Sequence, residues 1–497
     1  MKPSFLYTLL FGVAVVLFFG LAYPHHLHYQ EQFQLFLFDS TYVWDIIRLP
    51  GSIADLLGRF CTQFFLFAWV GATIIGVLLS LVQLLTLRLV GWGRLYGLSF
   101  MPSLLLWLFL LDENALLGGV WAMLLTLLAS WGFDKLPDGG MRRVLLLVAV
   151  PVLYWAAGPV SVVFLLLQSP HPERSLAYFA PFALLAVMLA LLPRFLPVPV
   201  DRLWVGIHYH RFPTEVATML WAAALSVIVI ALLGHFSHSR DNASSSLIPH
   251  VSWVVVAICM GCLVWRNSNF KAERVMKYDF MACHQQWNRI LQTISTEKPN
   301  NQIGVTVQNL ALAMHGKLID HLFDYHQNGL AGLLPDVKRD ATSPLPTAEA
   351  YYQLGMIAMA QRTVFEAQEA ILDFQKSGRC YKRLAQTNLI GGSYEVARKY
   401  LLALQKTLFY REWANETLQL LGDEQAIASH PEYGRLRQMA CKDDFFFGDH
   451  VTPDLLQNLY LSNPDNHLAY QYLMAYHLLT DNRNNYSKSP RQTSAKQ

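Results

Sequence analysis

The sequence is poor in charged residues, which make up 15% of its 497 positions against 54% for hydrophobic ones. The shortage is uneven, since charges are sparse up to about Trp265 and frequent after it. The net charge is only +3, and the basic residues stand at the ends of apolar runs rather than in one patch. We therefore predict a membrane unit followed by a soluble unit, with the lipid bilayer as a partner and no nucleic acid.

Cysteine is also scarce, with six residues scattered along the chain. Their spacing indicates no disulfide framework. Cys259 and Cys262 form a C-x-x-C pair, but they lie inside an apolar run, where they are expected as small packing residues of a membrane helix. The sequence accordingly predicts no metal and no cofactor.

Eight apolar runs have lengths close to the ~20 residues that cross a bilayer as a helix. They are Phe5–Ala22, Thr62–Leu87, Leu95–Leu111, Ala115–Trp131, Val144–Leu167, Leu176–Leu192, Val216–Leu233 and Val251–Trp265. The first is too long and too aromatic for a signal peptide, so we predict that it is retained. The predicted fold is all-α, with a polytopic bundle of about eight transmembrane helices over residues 1–266.

Ionisable side chains are nearly absent from the centres of these runs. Ion-driven transporters usually need such groups along their path, so the sequence argues against a proton or sodium pump. Pro151, Gly158 and Pro159 allow the run Val144–Leu167 to kink or to split into two half-helices. We treat it as one span; a split would move the second half of the chain to the other side of the membrane.

The distribution of Lys and Arg predicts the orientation. With the N-terminus inside, the inner connections hold Lys2, Arg88, Arg94, Lys135, Arg142, Arg143, Arg194, Arg202, Arg211, Arg266, Lys271, Arg274 and Lys277. The outer connections hold only Arg48, Arg59, Arg174 and Arg240. We predict a protein of the bacterial inner membrane with a cytoplasmic N-terminus and a cytoplasmic C-terminal domain.

The long polar loop of the membrane unit, residues 23–60, is the predicted outer loop. It interleaves aromatic residues with His25, His26, His28, Glu31, Asp39 and Asp45. A short helix is predicted after Pro50, with Ser52 as its cap and Asp55 in its first turn. Its apolar side is expected to face lipid or protein and consists of Ile53, Leu56, Leu57 and Phe60.

This outer loop has three interpretations. In the first, His25, His26 and His28 bind a metal together with Glu31, although adjacent histidines share no helix face and no helix is evident there. In the second, the loop resembles that of GT-C membrane glycosyltransferases, in which an acidic residue follows the first span and helices lie along the membrane. In the third, which we adopt, the loop is a packed aromatic cap whose carboxylates are solvated.

The GT-C resemblance implies a specific role for the loop carboxylates. Glu31 or Asp39 would act as a base, or hold a metal, beside a lipid-phosphate sugar. The resemblance covers only the first span and loop, and the paired-acid motif common in that class is absent from it.

A second polar segment, Pro197–Pro213, contains Asp201, Arg202, His208, His210 and Arg211. On the predicted topology it faces inside, opposite to the first loop, so the two segments would not form one site. We interpret its basic residues as ordinary inside-flanking charges. With the other topology, Arg202 or Arg211 could hold a phosphate.

From about Phe270 the sequence predicts paired amphipathic helices joined by short polar turns. Tyr351, Leu354, Gly355, Ala367 and Ile371 recur 30 residues later as Tyr381, Leu384, Ala385, Ala397 and Leu401. These residue classes match the tetratricopeptide repeat, although its usual period is about 34 residues. We predict a tetratricopeptide-like solenoid over residues 267–480 that binds a protein partner on its concave face. The alternative is a helical domain that packs only on itself or on the membrane unit.

Two segments interrupt the repeat pattern. Pro335–Pro346 is predicted to be a long surface loop. The helix Leu468–Leu479 has the residues of the first helix of a pair, but residues 481–497 after it are polar and lack periodicity. We expect this tail to be disordered and the last repeat to be incomplete.

Across most of its length the chain resembles a family of bacterial multi-pass membrane proteins with a tetratricopeptide-like C-terminal domain. The resemblance is carried by Tyr29–Gln32, Gln34–Phe36, Leu49–Gly51, Gln63–Phe65 and the repeats. That family has no established activity, so it implies no catalytic residues. We predict a membrane-anchored assembly or scaffold protein acting through its repeats. The alternative is a GT-C-like glycosyltransferase that uses a lipid-linked sugar and Glu31 or Asp39.

Overall fold

The computed structural model describes residues 3–90, 95–137, 139–168, 179–237, 247–336, 340, 342–373, 375–440 and 453–480. The chain divides into two compact units, Met1–Phe270 and Lys271–Gln497. Within the described residues the backbone forms helices and no β-strand, which confirms the all-α prediction. The tail at residues 481–497, part of the predicted loop Pro335–Pro346, Arg94, Arg174, Arg240 and Cys441 lie outside the described residues.

The first unit contains thirteen described α-helices. They are α1 (Pro3–Leu17), α2 (Pro24–Glu31), α3 (Ser40–Ile47), α4 (Ser52–Thr62), α5 (Ala68–Val90), α6 (Met101–Phe109), α7 (Gly118–Phe133), α8 (Gly140–Ala157), α9 (Val162–Gln168), α10 (Ala180–Leu191), α11 (Val200–Val205), α12 (Thr218–Ser237) and α13 (Ile248–Asn267). A π-helical turn, Phe18–Ala22, extends α1, and 3₁₀ turns at Tyr96–Phe100 and Gly158–Ser161 precede α6 and α9.

Five helical stretches among the described residues are long and apolar enough to cross a membrane. They are Ser4–Ala22, Ala68–Val90, Gly140–Gln168, Thr218–His235 and Ile248–Asn267. Shorter apolar helices occupy Tyr96–Phe109, Gly118–Phe133 and Ala180–Arg194. Membrane association is therefore supported, and each predicted run overlaps one or more of the described helices, whereas the count of eight spans stays a prediction.

The predicted span Val144–Leu167 is not one straight helix. Its backbone breaks at Gly158, which has a φ of +74°, so that α8 ends there and α9 begins after one 3₁₀ turn. Both arms pack on α7, and α9 returns towards the start of α8, since Arg142 there donates a hydrogen bond of 2.8 Å to Gln168 at the end of α9. A straight helix of that length would hold these two residues roughly 39 Å apart at 1.5 Å per residue. This corrects the prediction of a single span.

Contacts between helices define two ends of the first unit. We define the N-terminal end by contacts that join residues distant in sequence. They are the contacts of Ser4 with Tyr96, Thr8 with Gln83, Tyr7 with His250, Arg88 with Trp131, and Gln168 with Asp134. The loop end contains residues joined by the contacts of Tyr23 with Asn269, His26 with Leu110, Gly51 with Trp155, and Tyr154 with Leu203. Helix α13 therefore starts at the N-terminal end and finishes at the loop end.

Small and polar residues allow the long helices to pack closely. A Cβ on Gly12 of α1 would lie 2.7 Å from the Ser80 hydroxyl and 3.7 Å from the carbonyl oxygen of Gly76, both on α5, so only small residues fit where the two helices meet. The Thr8 hydroxyl donates to Gln83 at 2.7 Å, and Gln83 donates to Ser99 at 2.9 Å. Close approach of small residues and polar bonds between helices are the usual basis of helix association in lipid.

The second unit contains the remaining helices. They are α14 (Phe270–Cys283), α15 (Trp287–Glu297), α16 (Gln302–Met314), α17 (Leu318–His321), α18 (Leu330–Leu333), α19 (Pro344–Leu354), α20 (Ile357–Glu369), α21 (Gly378–Ile390), α22 (Tyr394–Gln405), α23 (Arg411–Gln419), α24 (Glu424–Ser429), α25 (Tyr433–Met439), α26 (Pro453–Ser462) and α27 (His467–Leu479). Consecutive helices α19–α20 and α21–α22 pack as pairs, at the positions where the 30-residue recurrence predicts them.

The first helices of these pairs are covered by later parts of the same chain. All eleven residues of α19 are buried. Helix α25 packs on α19 and α21, and α27 packs on α16, α17, α18 and α19. Gln471 of α27 accepts from the backbone of Leu318 and donates to Ala313, and Asn466 donates to Leu354 at 2.9 Å. The face that α16, α19 and α21 would present in an open solenoid is thus an internal packing surface.

Candidate functional site

Four segments converge at the loop end of the first unit: residues 23–67, 110–117, 155–161 and 200–217. Leu116 and Arg211 form the two backbone hydrogen bonds of an antiparallel bridge between Ala115 and His210. The Gly51 amide donates to the Trp155 carbonyl at 2.8 Å. Arg211 also donates to the Tyr29 hydroxyl, and His208 lies beside Asp55. The segment Pro197–Pro213 therefore lies beside the first loop, which corrects the prediction that the two face opposite sides.

Helix α4 carries its polar residues on the buried side. Asp55 and Arg59 are 2% and 7% exposed, whereas Ile53 and Phe60 face outward. The helix follows Pro50 as predicted, but Ser52 does not cap it; its hydroxyl donates to the Trp155 carbonyl instead. A short amphipathic helix can expose its apolar side in this way only where that side meets lipid or protein.

Asp55 is an ionised carboxylate held inside the loop end. Its Oδ1 accepts from Arg59 Nε at 2.9 Å, and His208 Nε2 lies 3.8 Å from its Oδ2. Burial raises the pKa of Asp55, but the charges of Arg59 and His208 outweigh that effect and the pKa lies below its usual 3.8. Asp55 and His208 line a small cavity, about the size of one water molecule, with Gly51, Gly118, Gly158 and Tyr209 among its other walls. We call this the Asp55 cavity.

A second small cavity, about the size of one water molecule, lies beside the bridged segments. Its walls include Gln30, Gln34, Thr62, Glu113 and Arg211. We call this the Arg211 cavity. It combines a guanidinium, a carboxylate, two amides and a hydroxyl, which is the set of groups that binds a polar headgroup.

Arg211 is a buried cation without an acidic partner. It is 8% exposed, its guanidinium lies 3.5 Å from the centre of the Phe33 ring, and its Nη1 donates to the Tyr29 hydroxyl at 3.3 Å. Among the described residues no carboxylate forms an ion pair with it. An isolated buried charge is costly, so an anion that enters the cavity would gain an unusually strong partner.

The two carboxylates named from the sequence lie apart from these cavity walls. Glu31 is buried, with 5% exposure, at the end of α2, and its neighbours in sequence Gln30 and Gln34 are the ones that line the Arg211 cavity. Asp39 precedes α3 and is half-buried. The loop does contain a helix at the histidines, contrary to expectation. No group of three or more metal-binding side chains occurs among the residues that the structure describes.

Residues 1–495 match a protein family that is described as a family of unknown function, DUF6057. The chain belongs to the DUF6057 family. No curated protein and no solved structure matches it. The DUF6057 match covers both units, so membership supports neither the GT-C resemblance nor the tetratricopeptide assignment specifically.

A further ion pair in this DUF6057 chain joins the bridged segments. His210 Nε2 lies 3.1 Å from Asp112 Oδ2. Burial lowers the pKa of His210, but the hydrogen bond and charge of Asp112, the Phe212 carbonyl and the charge of Glu215 together outweigh that effect and raise the pKa above 6.5. Burial also raises the pKa of Asp112, but hydrogen bonds from His210 and the Asn114 amide outweigh it and place the pKa below 3.8.

These shifts predict how pH affects the stability of the bridge. The raised pKa of His210 adds stability that is complete below pH 6.5 and is lost as pH rises through its folded value; the lowered pKa of Asp112 adds stability that is complete above pH 3.8 and is lost as pH falls through its folded value. We expect the melting temperature difference between wild type and His210→Gln to be largest between these pH values. A difference that does not vary with pH would show that the pair contributes no charge interaction.

Gly158 allows the tight turn between α8 and α9. Its φ is +74°, and a Cβ there would lie 2.7 Å from the Tyr209 hydroxyl, which donates to the Ala157 carbonyl at 2.6 Å. We expect Gly158→Ala to lower the unfolding free energy by at least about 2 kcal/mol. Gly261→Ala in α13, where an added Cβ meets nothing within 4 Å, is the matched control and should change it by less than about 1 kcal/mol. Equal melting temperatures for the two variants would contradict this role.

Sequence reasoning gave no functional role to Asp55, Arg59, Asp112 or Glu113. A signal for the first two was present, since they stand four residues apart on the same side of α4 as Ala54 and Gly58. Asp112 and Glu113 form an acidic pair in a short connection between two apolar helices of the DUF6057 chain. This acidic pair lies at the loop end together with the first loop, but it belongs to the connection between α6 and α7.

Proposed function

We propose that the membrane unit is a GT-C-like enzyme that transfers a sugar from a lipid phosphate at the loop end. The observation that carries this proposal is Arg211, a buried guanidinium that lines a polar cavity and forms no ion pair with a carboxylate in the part of the chain that the structure describes. A phosphate ester supplies the missing negative charge, and its lipid chain can remain in the bilayer beside the apolar helices.

Glu113 takes the role that the sequence suggested for Glu31 or Asp39, because it is the carboxylate that lines the Arg211 cavity. In the proposed step the acceptor hydroxyl gives its proton to Glu113. The acceptor oxygen bonds to the sugar carbon, the bond from that carbon to the phosphate oxygen breaks, and Arg211 holds the departing lipid phosphate. Asp55 stabilises the fold of the loop end by neutralising Arg59.

The proposed orientation keeps the N-terminus in the cytoplasm of a bacterial inner membrane, with the loop end outside. Exposed Lys and Arg side chains at the N-terminal end support it, among them Arg88, Lys135 and Arg143. At the loop end, Arg59 and Arg211 are buried in internal contacts and carry no weight as flanking charges. The count of Lys and Arg made from the sequence assigned Arg211 and Arg266 to the inner connections, although both residues lie at the loop end.

Binding of a polyprenyl phosphate to the full-length protein in detergent tests the proposal. We expect native mass spectrometry to show a bound polyprenyl phosphate that the uncharged polyprenol does not displace. Equal binding of the phosphate and the alcohol would overturn the anion site and with it the proposed function.

Transfer chemistry is tested in cells that lack the gene and carry a plasmid copy of it. Glu113→Gln is expected to change the envelope glycan profile as the empty plasmid does, because the amide cannot accept the acceptor's proton. Glu215→Gln, at an exposed acid of the same end, is the matched control and should restore the profile. Glu31→Gln distinguishes between the two candidate carboxylates. If the glycan profile is lost with Glu31→Gln and kept with Glu113→Gln, Glu31 and not Glu113 accepts the proton.

A protein partner of the tetratricopeptide-like unit remains the second candidate function. The paired packing of α19–α20 and α21–α22 supports a repeat. The face of α19 and α21 is covered by α25 and α27, so we propose that any partner binds elsewhere on the unit and that an assembly role is secondary to the enzyme.

A further inference from the structure

We infer that the helical unit, residues 271–480, lies on the same side of the membrane as the loop end and opposite to the N-terminus. This inference does not rest on the proposed enzyme activity. It replaces the cytoplasmic placement predicted from the distribution of Lys and Arg.

The path of α13 is the first observation. Near its start, the ring of Trp253 stacks on Tyr7 of α1 with centroids 4.4 Å apart, and Ser252 accepts from the Gly97 amide at 3.2 Å. Just beyond its end, the Asn269 amide donates to the Tyr23 hydroxyl at 2.7 Å, and Phe270 packs edge-on against the same tyrosine. Tyr7 and Tyr23 stand at opposite ends of the apolar helix Ser4–Ala22 and its flank. The chain therefore leaves the first unit at the end opposite to its N-terminus.

The hairpin of α8 and α9 is the second, independent observation. Gln168 at the end of α9 donates to Asp134 at 2.9 Å, which returns the chain to the end where α8 begins. Gly158 between the two arms lies against Gly51 at the loop end. The predicted span thus begins and ends at the same end of the unit instead of crossing once. With the other seven predicted runs crossing once each, the total is odd, which places the two termini of the first unit on opposite sides.

Residues at the exit agree with a boundary between lipid and water. Trp265 is exposed and contacts Phe270, and Arg266 follows it directly. Aromatic and basic residues at the end of an apolar helix are typical of the membrane interface. With the loop end outside, the helical unit is exported, and the molecules that it can meet are those of the outer compartment.

Cysteine labelling tests this inference on the full chain. The six native cysteines are replaced, and single cysteines are introduced as Asp45→Cys at the loop end, Arg143→Cys at the N-terminal end and Glu395→Cys in the helical unit. Asp45 and Glu395 have side chains that are 62% and 85% exposed, and Arg143 is also exposed. Spheroplasts are treated with a membrane-impermeant maleimide before and after permeabilisation.

We expect Glu395→Cys and Asp45→Cys to become accessible to the maleimide at the same stage, either before permeabilisation or only after it. Arg143→Cys is expected to become accessible at the other stage. This pairing is independent of which end faces the cytoplasm. Labelling of Glu395→Cys together with Arg143→Cys would overturn the inference, whatever the outcome of the polyprenyl phosphate experiment. If a cysteine variant fails to fold, alkaline phosphatase fused separately to each terminus of the native chain gives the same decision, because it is active only outside the cytoplasm and only one of the two fusions should then be active.

Discussion

Replacing Glu349 by alanine is expected to lower the unfolding free energy of the second unit by roughly 3–5 kcal/mol, the usual cost of leaving a buried charge unpaired. The Glu349 side chain is 2% exposed and pairs with Arg383, whose own side chain is 11% exposed. Glu349 also accepts from Gln353 at 3.0 Å. Its removal leaves the Arg383 guanidinium inside the unit without this ion pair, with the centre of the Tyr352 ring 3.6 Å away.

Glu395→Ala is the matched control for this prediction. Glu395 pairs with Arg398 at the surface, where the two side chains are 85% and 47% exposed, so its loss should cost less than about 1 kcal/mol. Urea unfolding of the full-length protein, followed through hydrogen exchange of the α19 and α21 amides, measures both. Similar losses for the two variants would show that the buried pair has no special role.

Arg211→Gln is expected to weaken binding of polyprenyl phosphate by roughly 10- to 100-fold. A hydrogen bond to a charged group contributes about 1.5–3 kcal/mol, and each 1.4 kcal/mol is a factor of ten in affinity. Arg211→Lys keeps the charge but loses the planar pair of donors, so it should fall between wild type and Arg211→Gln.

Arg48→Gln controls for a general effect of positive charge on the binding of polyprenyl phosphate. Arg48 is exposed at the same end and pairs with the exposed Asp45. We expect its affinity for polyprenyl phosphate to match that of wild type. An equal loss in both arginine variants would mean that the lipid phosphate is attracted by overall charge and has no site at Arg211.

Much of the helical architecture could be predicted from the sequence, because apolar runs and amphipathic periods are local properties. Each predicted run overlaps one or more of the described helices, and the turn after Pro50 leads into α4. The hairpin formed by α8 and α9 was harder to predict from the sequence. Pro151, Gly158 and Pro159 permit either a kink or a reversal, and the decision depends on the distant contact of Arg142 with Gln168.

The candidate site could be predicted only in fragments. His208 and Arg211 were identified as polar residues, but a single error in the number of membrane passages placed them opposite to the first loop. From the sequence, Asp55 was expected only to be a residue in the first turn of a helix. Its burial could not be predicted, because it depends on Arg59 and on His208 from a distant segment.

The covering of the repeats also depends on distant contacts. Leu468–Leu479 reads as the first helix of an incomplete pair, and in the structure it packs on helices more than a hundred residues earlier in sequence, through Gln471 and Asn466. Local repeat patterns predict pairs of helices, but they do not predict which face a later helix will occupy. The peptide-binding prediction for that face followed from the repeat alone.

Formation of a disulfide between cysteines at positions 115 and 210 tests the account most directly. Ala115 and His210 are the non-hydrogen-bonded pair of an antiparallel bridge, so their Cα atoms are expected about 4.5 Å apart, within reach of a disulfide. In a background without other cysteines, Ala115→Cys/His210→Cys should cross-link in native membranes under mild oxidation, and Ala115→Cys/Arg143→Cys should not. Failure of the first pair to cross-link, with both thiols reactive after denaturation, would place residues 110–117 and the segment Pro197–Pro213 apart and contradict the shared site.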